Sequence, residues 1–220
     1  MIPYQSLREQ LAKTGLRMYT TGLVVGTCGN VSARVPKEDL FVISPSSLPY
    51  AETTPDDVVL MDMEGNALSE GRPPSSEAGL HMSIYRTRPD VGAILHTHST
   101  YASALAVLRR PLPPILEELV IYLGGTVEVA KYAPGAGSEG LITHALMALG
   151  DRAAVLLANH GTVCVGRDLD KAFDIAQLVE QASRIYLLSL AAGTPTLLPD
   201  EVIEMQRSMY EYLKEDAMKE

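Results

Sequence analysis

NVSARVPKEDLFVIS, residues 30–44, decides how the chain is read as a fold. Its β-branched and apolar runs, Asn30 to Val35 and Leu40 to Ser44, are parted by Pro and Asp turn residues, and a third run, Val58 to Asp62, follows before the turn Glu64-Gly65-Asn66. Strands in such quick succession read as antiparallel neighbours. Upstream, Leu7, Leu11, Leu16 and Met18 fall near one helical stripe over Tyr4 to about Thr20, with Gly22 as a stop. Downstream, Pro73 and Pro74 followed by Ser75-Ser76-Glu77 read as a helix entry with Glu77 in the first turn and Leu80, Ile84 and Tyr85 facing inward. Val91 to His96 is a compact apolar strand, and Ala153 to Leu157 and Thr162 to Val165 flank the turn Asn159-His160-Gly161. Helices are predicted at Thr100 to Leu108, Ser138 to Leu149, Leu169 to Ala192 and Asp200 to Lys214. In the longest of them Phe173, Ala176, Leu178 or Val179, and Tyr186 mark the inner face. The strands cluster and do not alternate strictly with helices, which gives an α/β fold with a mainly antiparallel sheet flanked by helices.

Composition narrows the function. Of the 220 residues 46% are apolar and 20% charged, and no apolar run approaches the roughly 20 residues needed to span a bilayer. The start MIPYQSLREQ has no apolar signal core, so a cytoplasmic protein away from membranes is expected. A net charge of −9 without basic runs argues against nucleic acid, since a phosphate backbone is bound by clustered Lys and Arg. Two cysteines, Cys28 and Cys164, are too few for a disulfide framework or a cysteine-built zinc site, so a metal would be held by His and carboxylate.

His96-Thr97-His98 closes the predicted strand GAILHTH, and residues i and i+2 of a strand point to one face, so two imidazoles can reach one ion. A catalytic zinc site takes three protein ligands and leaves a position open. His160 supplies a third imidazole at a strand tip, where Gly161 permits close approach. His81, four residues after Glu77, shares its helix face and reads either as an orienting partner of Glu77 or as a structural histidine; His144 inside its helix reads as structural. Three small polar clusters, Thr27-Cys28-Gly29-Asn30, Ser44-Pro45-Ser46-Ser47 and Ser75-Ser76, lie at turns or helix entries; each is either a turn or cap, or part of an anion cradle built from N–H groups and hydroxyls. Glu77 reads either as a general base beside a metal-polarised carbonyl or as a carboxylate stabilised by a helix dipole.

The ordered set GTCGNVSAR (26–34), ISPSSLPY (43–50), PSSE (74–77), HTHS (96–99) and NHG (159–161) resembles the class II aldolase and adducin family, closest to its fuculose-phosphate aldolase branch, over nearly the whole chain. The resemblance implies a single three-layer α/β/α domain spanning 1–220, with a central, largely antiparallel sheet, and a homotetramer with active sites between subunits. By position it implies His96, His98 and His160 as zinc ligands, with Mn, Co, Fe or Ni also compatible with three imidazoles. Glu77 becomes the acid/base, able to touch the metal, and Gly29, Asn30, Ser46, Ser47, Ser75 and Ser76 become the phosphate-binding set. The implied reaction is reversible cleavage of a ketose 1-phosphate, such as L-fuculose 1-phosphate, to dihydroxyacetone phosphate and an aldehyde.

Two departures stand out. Ser47 replaces a family glycine, and Glu117, followed by Glu118, replaces a tyrosine that in the fuculose-phosphate branch reaches the neighbouring subunit's site to protonate the aldehyde oxygen. A carboxylate there is similar to the methylthioribulose-phosphate dehydratase branch, in which a glutamate performs acid/base work. Alternatively Glu117 and Glu118 face solvent or a subunit contact, and Tyr122, Tyr210 or Tyr212 takes the donor role. The sugar-phosphate 4-epimerase branch shares the histidines but carries SSD where this chain has SSE. A non-enzymatic reading, similar to the adducin head, is opposed by retention of the three histidines and Glu77.

Overall fold

A computed structural model describes residues 3–217, and the two ends of the expected 1–220 span lie outside the described residues. The expected strands form around one sheet: β1 (Asn30–Arg34), β2 (Leu40–Ile43), β3 (Val59–Asp62), β4 (Ala93–Thr97), β5 (Val129–Ala130), β6 (Ala154–Leu157) and β7 (Gly161–Gly166). Their order is β3-β2-β1-β4-β7-β6-β5, with only the β5–β6 pair parallel. The antiparallel expectation holds: the turn from β1 to β2 is too short for a crossover helix, and β2 reaches β3 through a longer loop with one short 3-10 turn, Pro55–Asp57.

Seven α-helices accompany the sheet among the described residues: α1 (Gln5–Thr20), α2 (Ala78–Thr87), α3 (Thr100–Leu108), α4 (Glu117–Leu123), α5 (Glu139–Leu149), α6 (Leu169–Ala192) and α7 (Asp200–Ala217). Side-chain alternation sorts them into layers. In β1, Val31 faces α1, where the small Gly15 lets Tyr50 and Val31 pack closely, while Ser32 faces α2 and meets His81 and Tyr85. Helices α3 and α6 join α1 on the first face, and α5 joins α2 on the second. Coverage of both faces explains why β4 is buried at every position, Ala93 to Thr97, and why it reads as an unbroken apolar run ending in polar residues.

The inner stripe of α1 differs from expectation. Leu16 is exposed, and Arg8, Leu11, Thr14, Gly15 and Met18 are buried. Arg8 takes an apolar position because its guanidinium donates to the carbonyls of Pro3 and Val58, which satisfies the buried charge-bearing group. Helix α2 begins one residue later than expected, so that Glu77 stands at the N-cap and not in the first turn. In α6 Val179 is the buried residue and Leu178 is half-buried; Asp168 caps its start by accepting from the Lys171 N–H at 2.7 Å. Helix α4 and strand β5 went unanticipated: the apolar, proline-punctuated stretch before Gly124 has no clear period, and β5 has only two residues.

Leu95 sits at the centre of the sheet, opposite Val31 and Cys164 and with no exposed surface. Leu95→Ala is expected to cost about 2–5 kcal/mol of unfolding free energy, the range for a large-to-small change in a rigid core. Urea unfolding monitored by circular dichroism measures it.

Candidate metal and phosphate site

The start of β1, the end of β4 and the start of β7, three adjacent interior strands, lie together at one end of the sheet. Asn30, the first residue of β1, stands opposite His96, and Thr97 stands opposite Thr162 of β7. His96 shares the α2 face with Asn30 and Ser32, and the N-cap of α2 puts Glu77 over that same patch. Glu77 makes no side-chain cap bond. Its carboxylate turns into the molecule, 4% exposed, where Oε2 accepts from the Asn30 amide at 2.9 Å.

The two histidines of the HTH motif and His160 of the β6–β7 turn converge. Their rings lie edge to face with centroids 4.7 to 5.0 Å apart, and one ligand atom from each lies within 4.8 Å of the others. His96 Nε2 is 2.9 Å from His98 Nε2 and 3.1 Å from Glu77 Oε2, and the His160 Nε2 is 3.6 Å from Glu77 Oε1. Asn159 adopts φ 57°, a left-handed conformation that asparagine tolerates, to turn the chain so that His160 faces back over the sheet. A side chain at 161 would overlap the Thr97 carbonyl and press on both the His98 and His96 rings, which accounts for glycine there.

Protonation states follow from the surroundings. Burial, reinforced by the neighbouring His160 and His98, pushes His96 well below the usual imidazole range, and burial followed by His160 lowers His98. The close approach of His96 to Glu77 is therefore not an ion pair. His96 Nδ1 lies 3.0 Å from the Thr162 carbonyl, which can only accept, so Nδ1 carries the proton and Nε2 offers a lone pair. That lone pair meets a carboxylate oxygen and a second imidazole nitrogen. A proton on His98 relieves one contact and leaves the other repulsive; a cation among the groups relieves both. Neutral imidazoles beside a carboxylate are the donor set a divalent transition metal takes, so these residues fit the metal the sequence led us to expect.

Of the expected phosphate set, Gly29 and Asn30 pass beside His96, and Ser75 bonds the Glu77 backbone. Ser44 ties these segments together: its hydroxyl accepts from the Val31 N–H at 3.2 Å, and its carbonyl accepts from the Ser75 N–H at 3.2 Å. A bridge between Pro45 and Pro74 pairs the two segments antiparallel, with Ser44 against Ser75 and the Ser46 N–H donating to the Pro73 carbonyl at 2.9 Å. Gly29 has φ +75°, and a Cβ there would come within 2.5 Å of the His96 carbonyl oxygen, so the loop passes the end of β4 only as glycine. Ser47 stands at φ 57°, the left-handed region, where a glycine is the unstrained choice. Asn30 has a task the sequence did not suggest: its buried amide holds Glu77. Ser75 accepts from the Glu77 N–H at 3.3 Å, whereas Ser76 is exposed. No lysine or arginine belongs to this set.

Residues considered for the second proton-transfer role lie elsewhere in the chain. Glu117 is exposed at the start of α4, accepts from Gln206 at 2.7 Å and has no bond to the histidines; Glu118 is exposed beside it. Tyr122 lies beneath the Lys171 ammonium at 4.3 Å, Tyr212 is exposed, and Tyr210 donates to the Asp151 carbonyl at 2.7 Å. Burial raises the Tyr210 phenol to about 12. His144 meets the Lys131 carbonyl at 3.0 Å, as a structural histidine should. Thr162, whose carbonyl orients His96, was missed because a backbone acceptor carries no side-chain signature.

Residues 9–187 match the family model described as Class II Aldolase and Adducin N-terminal domain. The chain belongs to that family. It is 38% identical over 207 residues to a 5-deoxy-D-ribulose 1-phosphate aldolase of Bacillus thuringiensis serovar kurstaki, covering 94% of this chain and 96% of that protein. It is 37% identical to a 5-methylthioribulose-1-phosphate/5-deoxyribulose-1-phosphate aldolase of Rhodospirillum rubrum, covering 94% and 91%. A solved structure of L-fuculose 1-phosphate aldolase superposes with a TM-score of 0.89 at 39% identity, covering 94% of this chain and 96% of the other. The resemblance read from the five motifs is thus borne out at the level of family, fold and aldolase-type lyase activity.

Gly161→Ala forces the β6–β7 turn away from β4 and so parts His160 from His96 and His98. Affinity for a divalent transition metal in a competitive chelator titration is expected to fall by at least about 10-fold, the scale on which disturbed ligand orientation acts.

Proposed function

We propose that this protein is a zinc-dependent aldolase that reversibly cleaves the C3–C4 bond of a ketose 1-phosphate, giving dihydroxyacetone phosphate and an aldehyde. The convergence of His96, His98 and His160 beside the Glu77 carboxylate carries this reading. The names of the similar proteins support the substrate class. 5-Deoxyribulose, 5-methylthioribulose and L-fuculose are all ketoses whose terminal carbon bears no hydroxyl, so the aldehyde released ends in an apolar group. A substrate of that type, L-fuculose 1-phosphate or a 5-deoxypentulose 1-phosphate, is the one proposed here.

His96, His98 and His160 would hold the ion, with Glu77 close enough to touch it. A bound divalent cation would supply polarisation of the ketose carbonyl and stabilisation of negative charge on its oxygen. Glu77 does the proton work. Its Oε2 is anchored by the Asn30 amide, while Oε1 is buried without a hydrogen-bond partner and so keeps its lone pairs for the substrate. In the synthetic direction Oε1 takes a proton from the hydroxymethylene carbon of dihydroxyacetone phosphate; in the cleavage direction it returns that proton. Gly29, Ser46, Ser47, Ser75 and Ser76 would bind the phosphate through backbone N–H groups and hydroxyls, which suits a protein of net charge −9. Glu117 would serve the aldehyde oxygen from a neighbouring subunit, in a cytoplasmic homotetramer, since within its own chain it has no link to the histidines.

A panel of ketose 1-phosphates, with products identified by mass spectrometry, tests the reading. Dihydroxyacetone phosphate should appear with an aldehyde, and chelation should abolish it. Loss of water without a three-carbon fragment would instead identify a dehydratase, and a C4 epimer an epimerase. Glu77→Gln should slow exchange of the dihydroxyacetone phosphate proton with solvent by about 100-fold or more, the scale of a positioned base; exchange at the native rate would remove Glu77 from the role.

A further inference from the structure

A chain of buried polar groups runs behind Glu77 on the α2 face of the sheet. Ser32 Oγ lies 2.7 Å from Tyr85 Oη and 2.6 Å from His81 Nδ1, and none of the three residues is more than 2% exposed. The directions of these bonds follow from counting protons. Tyr85 Oη has no partner other than Ser32, so its proton goes to Ser32 Oγ; the Ser32 proton then goes to His81 Nδ1. The reverse order would strand both the Tyr85 proton and the His81 Nε2 lone pair, whereas this order leaves one donor, the Nε2–H, to be satisfied. His81 is consequently the Nε2–H tautomer.

That Nε2–H is a fully buried donor without a hydrogen-bond partner, and Asn30 Oδ1 is a buried acceptor without one. Both belong to the α2 face of the sheet. Asn30 and Ser32 are alternate residues on one face of β1, and the imidazole bonded to Ser32 stands over that same face. His81 stands one turn after Glu77 on α2, its backbone N–H donating to the Glu77 carbonyl at 3.4 Å, beside the residue that Asn30 holds. Asn30 in turn has its orientation set at the other end: only its Nδ2 can face the Glu77 carboxylate, so Oδ1 must point back.

We infer that His81 is a positioning residue that passes a hydrogen bond from Ser32 to Asn30, directly after a small rotation or through one water, and so fixes the amide that holds Glu77. Polarity runs one way along the whole series, Tyr85 to Ser32 to His81 to Asn30 to Glu77, and it ends on Oε2, leaving Oε1 for the substrate. The inference rests on the proposed role of Glu77 as the acid/base. Its physical content is that an amide held at both ends resists the rotation that would present its oxygen to the carboxylate and push it out of place.

Two measurements test it, one of them independent of activity. Long-range 1H–15N correlation spectra of the metal-free protein should show His81 as the Nε2–H tautomer, and Asn30→Ala should shift that proton and speed its exchange with water; an Nδ1–H tautomer, or no response to Asn30→Ala, overturns the inference. In kinetics, His81→Asn reaches only the Ser32 end and should lose about 10- to 100-fold in kcat, the range for lost orienting partners. KM and zinc content should stay at the native values. His81→Gln, whose amide reaches the Nε2 position, should recover most of the loss. Native kcat in His81→Asn, or equal losses in both variants that follow their stability in urea, overturns it. Failure of the native protein to exchange the dihydroxyacetone phosphate proton would remove the aldolase reading alone, and the tautomer and its response to Asn30→Ala would still decide the hydrogen-bond chain.

Discussion

The hydrogen bond from His96 Nδ1 to the Thr162 carbonyl is the constraint from which the site takes its form. It spends the one proton of a neutral imidazole on a neighbouring strand, and so commits Nε2 to point its lone pair towards His98 and Glu77. Because β4 lies at the centre of a sheet covered on both faces, His96 cannot turn to water to relax that arrangement. The same burial that keeps the ring uncharged makes an assembly of lone pairs costly unless a cation joins it. The histidine set is thereby poised for a metal by the fold and not by its own flexibility.

Rigid support extends outward from this point. Gly29 and Gly161 let the chain pass on either side of the β4 terminus at distances that a side chain would prevent, and Ser44 links β1 to the serines ahead of α2. In the proposed function, anion recognition rests on N–H groups and hydroxyls of these loops. Such donors cost little to preorganise and add no positive charge near the cation, whereas lysine or arginine there would compete electrostatically with the metal. Glu77 stands where the two systems meet, at the N-cap of α2 and within reach of the histidines.

Much of this was legible in the linear chain where chemistry is local. Alternation put His96 and His98 on one strand face, turn residues set β1, β2 and β3 antiparallel, and the five ordered motifs pointed to a family whose fold and aldolase activity the comparisons bear out. Legibility failed where local pattern was weak or where a partner lay far away. Arg8 entered the core against its polarity because carbonyls at Pro3 and Val58 receive it. Helix α4 lacked a readable period, and the two residues of β5 were too few to mark a strand. Leu16 looked apolar enough for the α1 stripe yet faces outward, since Gly15 is the residue that packs on Tyr50 and Val31.

The sequence alone determined which residues could bind a metal, which turns could cradle an anion, and the antiparallel character of the sheet, because residue chemistry, spacing and turn length act over a few positions. Only the tertiary structure decided that His160 closes on the HTH pair, that Asn30 serves Glu77, and that Glu117 stands apart from both. Those outcomes depend on strand order and on which carbonyl or amide fills a neighbouring place. Such pairings join residues tens of positions apart, and no local pattern encodes them.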